Sequence, residues 1–239
     1  MNLRNVKAII LAGGFGTRLR GAVLDVPKPL APIAGKPFLE YQINYLKNQG
    51  IYRIALAIHY LPDKFKEYFG DGSNFNIDLD YSQEKTPLGT GGGIKQAALN
   101  EKNDFFILNG DSYSEPNLSE MFDFHKSKKS LATLCVAREN QTSELGCLVL
   151  NERKEITKFS EKRNIGTNLI NAGIYLFNPE VLNFIADNKP TSIEHEIFPR
   201  LAETNRFFGF LYDGYFIDIG NPRTYYEFER FIKLKEAAL

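Results

Sequence analysis

A chain of 239 residues is long enough for one large α/β domain or two small ones, and 43% hydrophobic residues supply a sizeable core, which excludes wholesale disorder. Lys plus Arg equals Asp plus Glu at 29 each, so there is no net basicity for non-specific nucleic-acid binding and any anion site has to be local. No segment approaches the roughly 18 apolar residues of a membrane span, and the longest early apolar run, Ala8 to Ala12, is too short for a signal peptide.

The first element, "VKAIILA", reads as a fully buried strand. "PFLEYQINYLKNQG" reads as a helix: Pro37 suits its start, Leu39, Ile43 and Leu46 share a face, and Gly50 stops it. The strand "IYRIALAI" follows, then a helix from Pro62 ended by Gly70, and "FNIDLDYS" alternates as a strand should. A glycine cluster, a helix to about Asn100 and the buried strand "DFFILNGD" complete a βαβα rhythm that predicts a mainly parallel sheet.

After Asp111 the pattern becomes richer in strands. A helix spans about Leu118 to Lys128, "LATLCVA" is a strand, and "LGCLVL" with "EITKFS" reads as a hairpin around "NERK". Cys135 and Cys147 fall in these strands without metal-ligand spacing, so they read as two buried thiols of a cytoplasmic protein. "LINAGIYLF" is a further strand, with helices near 179–187 and 193–203. "FFGFLY" and "YFIDIG" come next, and Pro222 opens a C-terminal amphipathic helix. With no linker or repeat, the chain reads as one domain of two lobes, divided near 111, with the last helix from about 222 to 239.

"LAGGFGTRLR" leaves the first strand with three glycines and two arginines. It fails the dinucleotide fingerprint, because the third glycine falls on Leu19 and the second strand ends at His59 rather than on an acid. It fails as a P-loop, because Ala22 and Val23 follow Gly21 where Lys and Ser/Thr belong. What remains is a glycine turn with Thr17 and Arg18, then "PKPL", in which two prolines hold Lys28 stiffly. Backbone N–H groups beside Arg and Lys make a nest for a triphosphate; each feature taken singly is also compatible with an ordinary turn or surface lysine.

"EKTPLGTGGGI" again sets glycines between strand and helix, where a flat ligand could lie on bare backbone. Gln83, at that strand's end, carries a donor and an acceptor and can read the edge of guanine, uracil or thymine. Asp111 and Asp218 each end a strand, and carboxyl ends of parallel strands share an edge where ligands bind. Two carboxylates beside a triphosphate suit Mg²⁺.

Together "LAGGFGTRL", "PKPL", "GKP", "PLGTGGGI", "NGDS", "EK" at 161–162, "NAGIY" and "FIDIGNP" resemble the sugar-1-phosphate nucleotidylyltransferases, in that family's order and over residues 6 to about 225. Within it the opening and the glycine cluster look most like the heptose 1-phosphate guanylyltransferases. The resemblance implies a single-domain, Rossmann-like, three-layer α/β/α fold with a mainly parallel mixed sheet and a smaller β-rich sugar-binding lobe. It implies that Leu11, Ala12, Gly13, Gly14, Gln83 and Gly89 hold base and ribose, with Thr90 also at the nucleotide; that Gly16, Thr17, Arg18 and Lys28 hold phosphates; and that Asp111 and Asp218 hold Mg²⁺. Glu161 and Lys162 would contact the sugar and its phosphate, with Gly146, Asn171 and Gly173 lining that pocket. "SELGC" departs from the Arg-Tyr-Gly element of the heptose-type relatives and leaves only Gly146 in common.

The implied reaction joins an NTP to a sugar 1-phosphate and releases pyrophosphate. A sugar phosphate is already largely a dianion at neutral pH, with a second pKa of about 6. No general base is needed, and His59, His125 and His195 read as structural or surface residues. Catalysis would be positioning plus charge neutralisation by Arg18, Lys28, Lys162 and the metal. A metal-dependent glycosyltransferase would want two aspartates one residue apart, and "NGDSY" has one; a non-catalytic sensor would have lost one of the charged residues. The partners are small molecules, with neither nucleic acid nor membrane, and a homo-oligomer is compatible with the sequence.

Overall fold

A computed structural model describes residues 2–14, 26–138, 146–161, 165–187 and 189–237. Strand β1 (Lys7–Leu11) is followed by a 3₁₀ turn at Lys28–Leu30 and the small ribbon β2 (Pro32–Ile33) and β3 (Lys36–Pro37). Then come α1 (Phe38–Asn48), β4 (Arg53–Ile58), α2 (Pro62–Phe69), β5 (Asp78–Gln83), α3 (Gly89–Ala97) and β6 (Phe105–Asn109). The second half holds β7 (Ser112–Ser114), α4 (Leu118–Lys128), β8 (Ala132–Arg138), β9 (Cys147–Leu150), β10 (Ile156–Ser160) and β11 (Leu169–Phe177). It ends with α5 (Phe198–Ala202), β12 (Phe207–Leu211), β13 (Phe216–Asp218) and α6 (Pro222–Ala237).

β6, β1, β4 and β5 run parallel in that order, with Ile9 opposite both Ala55 and Ile107. β11 closes this block antiparallel to β6; β8 pairs antiparallel with β11, and β12 pairs parallel with β8. The β9–β10 hairpin attaches to the first half of β11 through Ile170 and Cys147. The β11 register breaks between Asn171 and Tyr175, where the sheet divides between hairpin and parallel block.

Alternate residues of each strand face opposite layers, as a period of two requires. Ala8, Ile10 and Leu56 pack with Leu39, Ile43 and Leu46 of α1, Phe65 and Phe69 of α2, and Met121 of α4. On the other face Ile9, Ala55 and Ile107 pack with Ile94 and Ala97 of α3 and Phe198 and Leu201 of α5. The outcome is the expected three-layer α/β/α fold. A third cluster joins α6, through Tyr225, Phe228 and Ile232, to α1 and to Tyr113 and Ile217 of β7 and β13.

Three local departures have physical causes. α3 begins inside the glycine cluster rather than after it. Glycines cost a helix about 1 kcal/mol each, but a Cβ on Gly91 would lie 3.0 Å from the Thr191 carbonyl oxygen and one on Gly93 2.6 Å from Glu84 Oε1. The expected helix at 193–203 opens as a π turn, Ile193–Ile197, before α5. Pro199 offers no N–H to His195 and its ring crowds that carbonyl, so the turn widens. The expected helix near 179–187 is a 3₁₀ segment, Pro179–Phe184.

His125 belongs to the core, 1% exposed, with Nδ1 2.8 Å from Thr133 Oγ1. Burial pushes its pKa down from 6.5 to about 4, against the pull of Asp104. Because the folded value lies below the unfolded one, this neutral ring contributes stability above about pH 6.5 that is lost as pH falls toward about 4. Thermal melts should therefore show a shallower fall in Tm over that window for His125→Gln than for the natural chain; parallel curves would count against His125 as the titrating group.

Candidate active site

The carboxyl ends of β1, β4, β5 and β6 open onto a cavity of about 580 Å³. That size suits a small-molecule substrate. Of the residues singled out in the sequence, Leu11, Gly13, Gly14, Lys28, Gly89, Thr90 and Asp111 wall it. His59, Glu84, Asn109, Gly110, Glu194 and Gly220 wall it as well.

At one side Lys28 is 8% exposed, and its Nζ lies 2.7 Å from Asp111 Oδ2 and 4.0 Å from Asp218 Oδ1. Ser112 Oγ sits 3.4 Å from Asp111 Oδ1 and 3.5 Å from Asp218 Oδ2, and the Gly220 N–H donates to Asp218 Oδ1 at 2.6 Å. The aspartates converge for a different reason from the one the sequence suggested. β13 is outside the main sheet: it pairs antiparallel with β7, which sets Asp218 opposite Ser112, next in chain to Asp111. The Ile219 N–H donates to the Asp111 carbonyl at 2.8 Å, closing the ribbon. Among the described residues no group of three or more His, Cys, Asp or Glu side chains is arranged to hold a metal ion by itself. Two carboxylates around one ammonium form a hard-oxygen pair that a divalent ion with its own waters could share.

Gly13 and Gly14 follow β1 with no side chain between backbone and cavity, while Arg18, Gly16 and Thr17 lie outside the described residues. Gln83 does not wall the cavity: its side chain is exposed, with Oε1 accepting from Lys66 Nζ at 3.2 Å. The next residue, Glu84, faces inward instead, 9% exposed, with Oε2 accepting from the Leu88 N–H at 2.8 Å. Period-two alternation makes only one of the two point inward. Ala12 is buried beneath β1's end and donates its N–H to the Ala57 carbonyl.

Gly146, Asn171 and Gly173 sit together and are not among the residues that wall the cavity. The Gly146 carbonyl accepts from the Asn171 N–H, and the Asn171 side chain accepts from the Gly173 N–H and donates to Tyr175 Oη, which donates to Asn109 Oδ1. Asn171's amide is thus consumed by its own turn and by Tyr175. Glu161 lies 2.5 Å from Nε2 of His195, and Lys162 and most of "SELGC" lie outside the described residues. His59 walls the cavity with Nδ1 3.0 Å from the Glu84 carbonyl, which accounts for its place there. Glu194 carried no sequence signal, since the π turn that aims it depends on packing with Thr90 and Thr191.

Residues 7–235 match the nucleotidyl transferase family. The chain belongs to that family. It is 43% identical over 227 residues to the probable mannose-1-phosphate guanylyltransferase 1 of Oryza sativa subsp. japonica, covering 92% of this chain and 63% of that protein. It is 40% identical over 223 residues to the D-glycero-alpha-D-manno-heptose 1-phosphate guanylyltransferase of Campylobacter jejuni, covering 93% of this chain and 98% of that one. A crystal structure of HddC from Yersinia pseudotuberculosis, complexed with GMP-PN, superposes with a TM-score of 0.81 at 34% identity, over 93% of this chain and 97% of that one. The chain spans less than two thirds of the mannose-type relative and nearly all of the heptose-type one.

Gly173 has φ of +72°, and a Cβ there would stand 3.0 Å from Ser112 Cβ. Gly173→Ala should lower stability by about 1–3 kcal/mol. Gly14→Ala, where a Cβ would meet nothing within 4 Å, should stay within about 0.5 kcal/mol. Urea titrations of both variants measure this, and equal effects would remove the assigned strain.

Proposed function

We propose that this chain transfers GMP from GTP to a manno-configured heptose 1-phosphate, releasing pyrophosphate and forming a GDP-heptose for a cell-surface glycan. The observation that carries the reading is the cavity at the ends of the parallel strands, where Lys28 stands between Asp111 and Asp218 beside the bare backbone of Gly13 and Gly14. A nucleoside triphosphate and a sugar phosphate are both anions, and the chief difficulty is bringing one onto the α-phosphorus of the other. Lys28 would hold the α-phosphate there, Arg18 the leaving pyrophosphate and Lys162 the incoming phosphate, the last two resting on likeness to the family. Asp111 and Asp218 would hold Mg²⁺, which, when bound, neutralises phosphate charge. The incoming phosphate is a dianion near neutral pH, so none of the three histidines has a proton to take.

Glu84 supports guanine. An ionised carboxylate only accepts hydrogen bonds, and guanine presents two adjacent donors where uracil and thymine present one between two carbonyls. For the sugar, the heptose reading is supported by the Campylobacter relative, matched over nearly its whole length. The 43% identity to the Oryza protein favours a second reading, in which mannose 1-phosphate is the acceptor. A pocket that merely leaves room for the extra hydroxymethylene would separate the two by only about 10–200-fold. Cytoplasmic reaction fits the two buried free thiols, Cys135 and Cys147. Among the described residues no helix is long and apolar enough to cross a membrane.

Pyrophosphate release should be fastest with GTP among GTP, UTP, CTP and dTTP, and fastest with the heptose phosphate among manno- and gluco-configured sugar phosphates. A strict preference for a pyrimidine triphosphate or a gluco-configured acceptor overturns the substrate assignment while leaving the reaction class. Turnover should stop with chelator and return with Mg²⁺, and a full rate in EDTA would sink the metal's role. Lys28→Ala and Arg18→Ala should each lose roughly 10²–10³ in kcat, as for removal of one charge-stabilising donor. A near-natural rate in either variant removes that residue from the site.

A further inference from the structure

Glu194 is a wall carboxylate with no cationic partner among the described residues. It sits in the π turn, and Thr90 Oγ1 (2.9 Å) and Ser192 Oγ (3.2 Å) both donate to its Oε2. Thr90 is itself held, accepting from the Ile193 N–H at 2.8 Å. No lysine, arginine or histidine among the described residues pairs with Glu194, whose carboxylate is met by the Thr90 and Ser192 hydroxyls and its own backbone N–H. A partly buried carboxylate without a counter-cation costs free energy unless its remaining lone pairs find donors. Here the open side is the cavity.

The same turn controls a second acid. His195, next in chain, turns outward and holds Glu161 at 2.5 Å, and the Glu161 charge acts on Glu194. Glu194 walls the cavity, and Glu161, held by the next residue of the same turn, lies near enough for its charge to act on it. Two neighbouring acceptors repel a phosphate and suit a ligand rich in hydroxyl donors and bare of charge on that side.

We propose that Glu194 is a specificity-determining residue that accepts hydrogen bonds from ring hydroxyls of the sugar 1-phosphate, with His195 positioning Glu161 for the same sugar. The inference rests on the transferase reading above and names the sugar-reading group within it. The Thr90 and Ser192 hydroxyls hold the carboxylate in one rotamer, so the acceptor is preorganised before sugar binds. A site built around a hydroxyl rejects analogues lacking it far more strongly than a site that only leaves room.

The carboxylate's stability effect separates this role from a structural one. Burial, reinforced by Glu161, raises the Glu194 pKa. A raised folded value means that native stability is complete below the ordinary glutamate range and declines as pH climbs through the raised value. Lys28, Asp111 and Glu84 share the cavity with it, and none contacts it. Glu194→Gln keeps an acceptor for Thr90 and removes the charge, so the ligand-free variant should melt no lower than the natural chain at pH 8. A carboxylate needed to hold the turn would give a lower Tm.

The test is steady-state kinetics and calorimetry on the whole chain with GTP and with mannose 1-phosphate, its monodeoxy analogues and the heptose phosphate. Glu194→Gln should raise KM for the sugar phosphate about tenfold or more, the loss of one hydrogen bond to a charged acceptor. Its Kd for GTP should stay within about threefold. One deoxy analogue should lose about tenfold or more with the natural enzyme and much less with the variant. His195→Gln should raise the sugar KM with kcat little changed. An unchanged sugar KM, an equal rise in GTP Kd, or a flat response of the natural enzyme across the deoxy series each overturn the inference. The deoxy series needs no variant, so it decides the matter even if Glu194→Gln fails to fold. No turnover by the natural enzyme with any sugar phosphate overturns the proposed reaction itself and this inference with it.

Discussion

The antiparallel pairing of Ser112 with Asp218 is the constraint on which the rest of the site depends. It brings together two carboxylates from positions 111 and 218 and gives Lys28 a place between them. Without the ribbon Asp218 would end a strand at the protein's rim. With it, a chain of no net charge concentrates opposite charges into one wall of a cavity, where low dielectric strengthens each interaction. The C-terminal helix secures the arrangement: Phe228 and Ile232 pack on Tyr113 and Ile217, the neighbours of the two paired residues.

Opposite this wall the glycines of α3 do a different task. Bare Cα positions let the helix start press against Thr191 and Glu84, which draws the π turn toward the cavity. The Gly91 N–H donates to the Thr191 carbonyl and the Thr191 N–H to the Leu88 carbonyl, so the two segments are stitched by backbone bonds. Helix propensity is sacrificed for approach distance. The compensation is a wall in which Thr90, Glu194 and Glu84 hold set positions.

Much of the architecture was legible in the chain. Periodicity located α1 between Pro37 and Gly50, α4 at Leu118–Lys128, the β9–β10 hairpin and the long helix opened by Pro222. These elements obey local rules, since their caps and apolar faces lie within one turn or one strand of each other. The π turn and the 3₁₀ segment escaped, because Pro199 changes which backbone bonds are available and that matters only once the segment is docked. Gln83 and Glu84 show the same limit at a single residue. Either could face inward by composition, and the register of β5 against β4, with Ile58 opposite Gln83, selected Glu84.

By itself the sequence determined the alternation of strands and helices, the glycines behind β1 and at the join of β5 and α3, and the supply of Lys28, Asp111 and Asp218 at strand or turn ends. Those are local properties, carried by apolar spacing, glycine and proline. Tertiary structure alone decided that Asp218 meets Asp111 through an antiparallel ribbon, that Asn171 is turned inward onto Tyr175, and that Glu194 looks into the cavity. Each joins residues distant along the chain or a side chain with two possible faces. Such choices are settled by which partner removes a buried polar group from the cost of being unpaired, and that partner exists only in the folded chain.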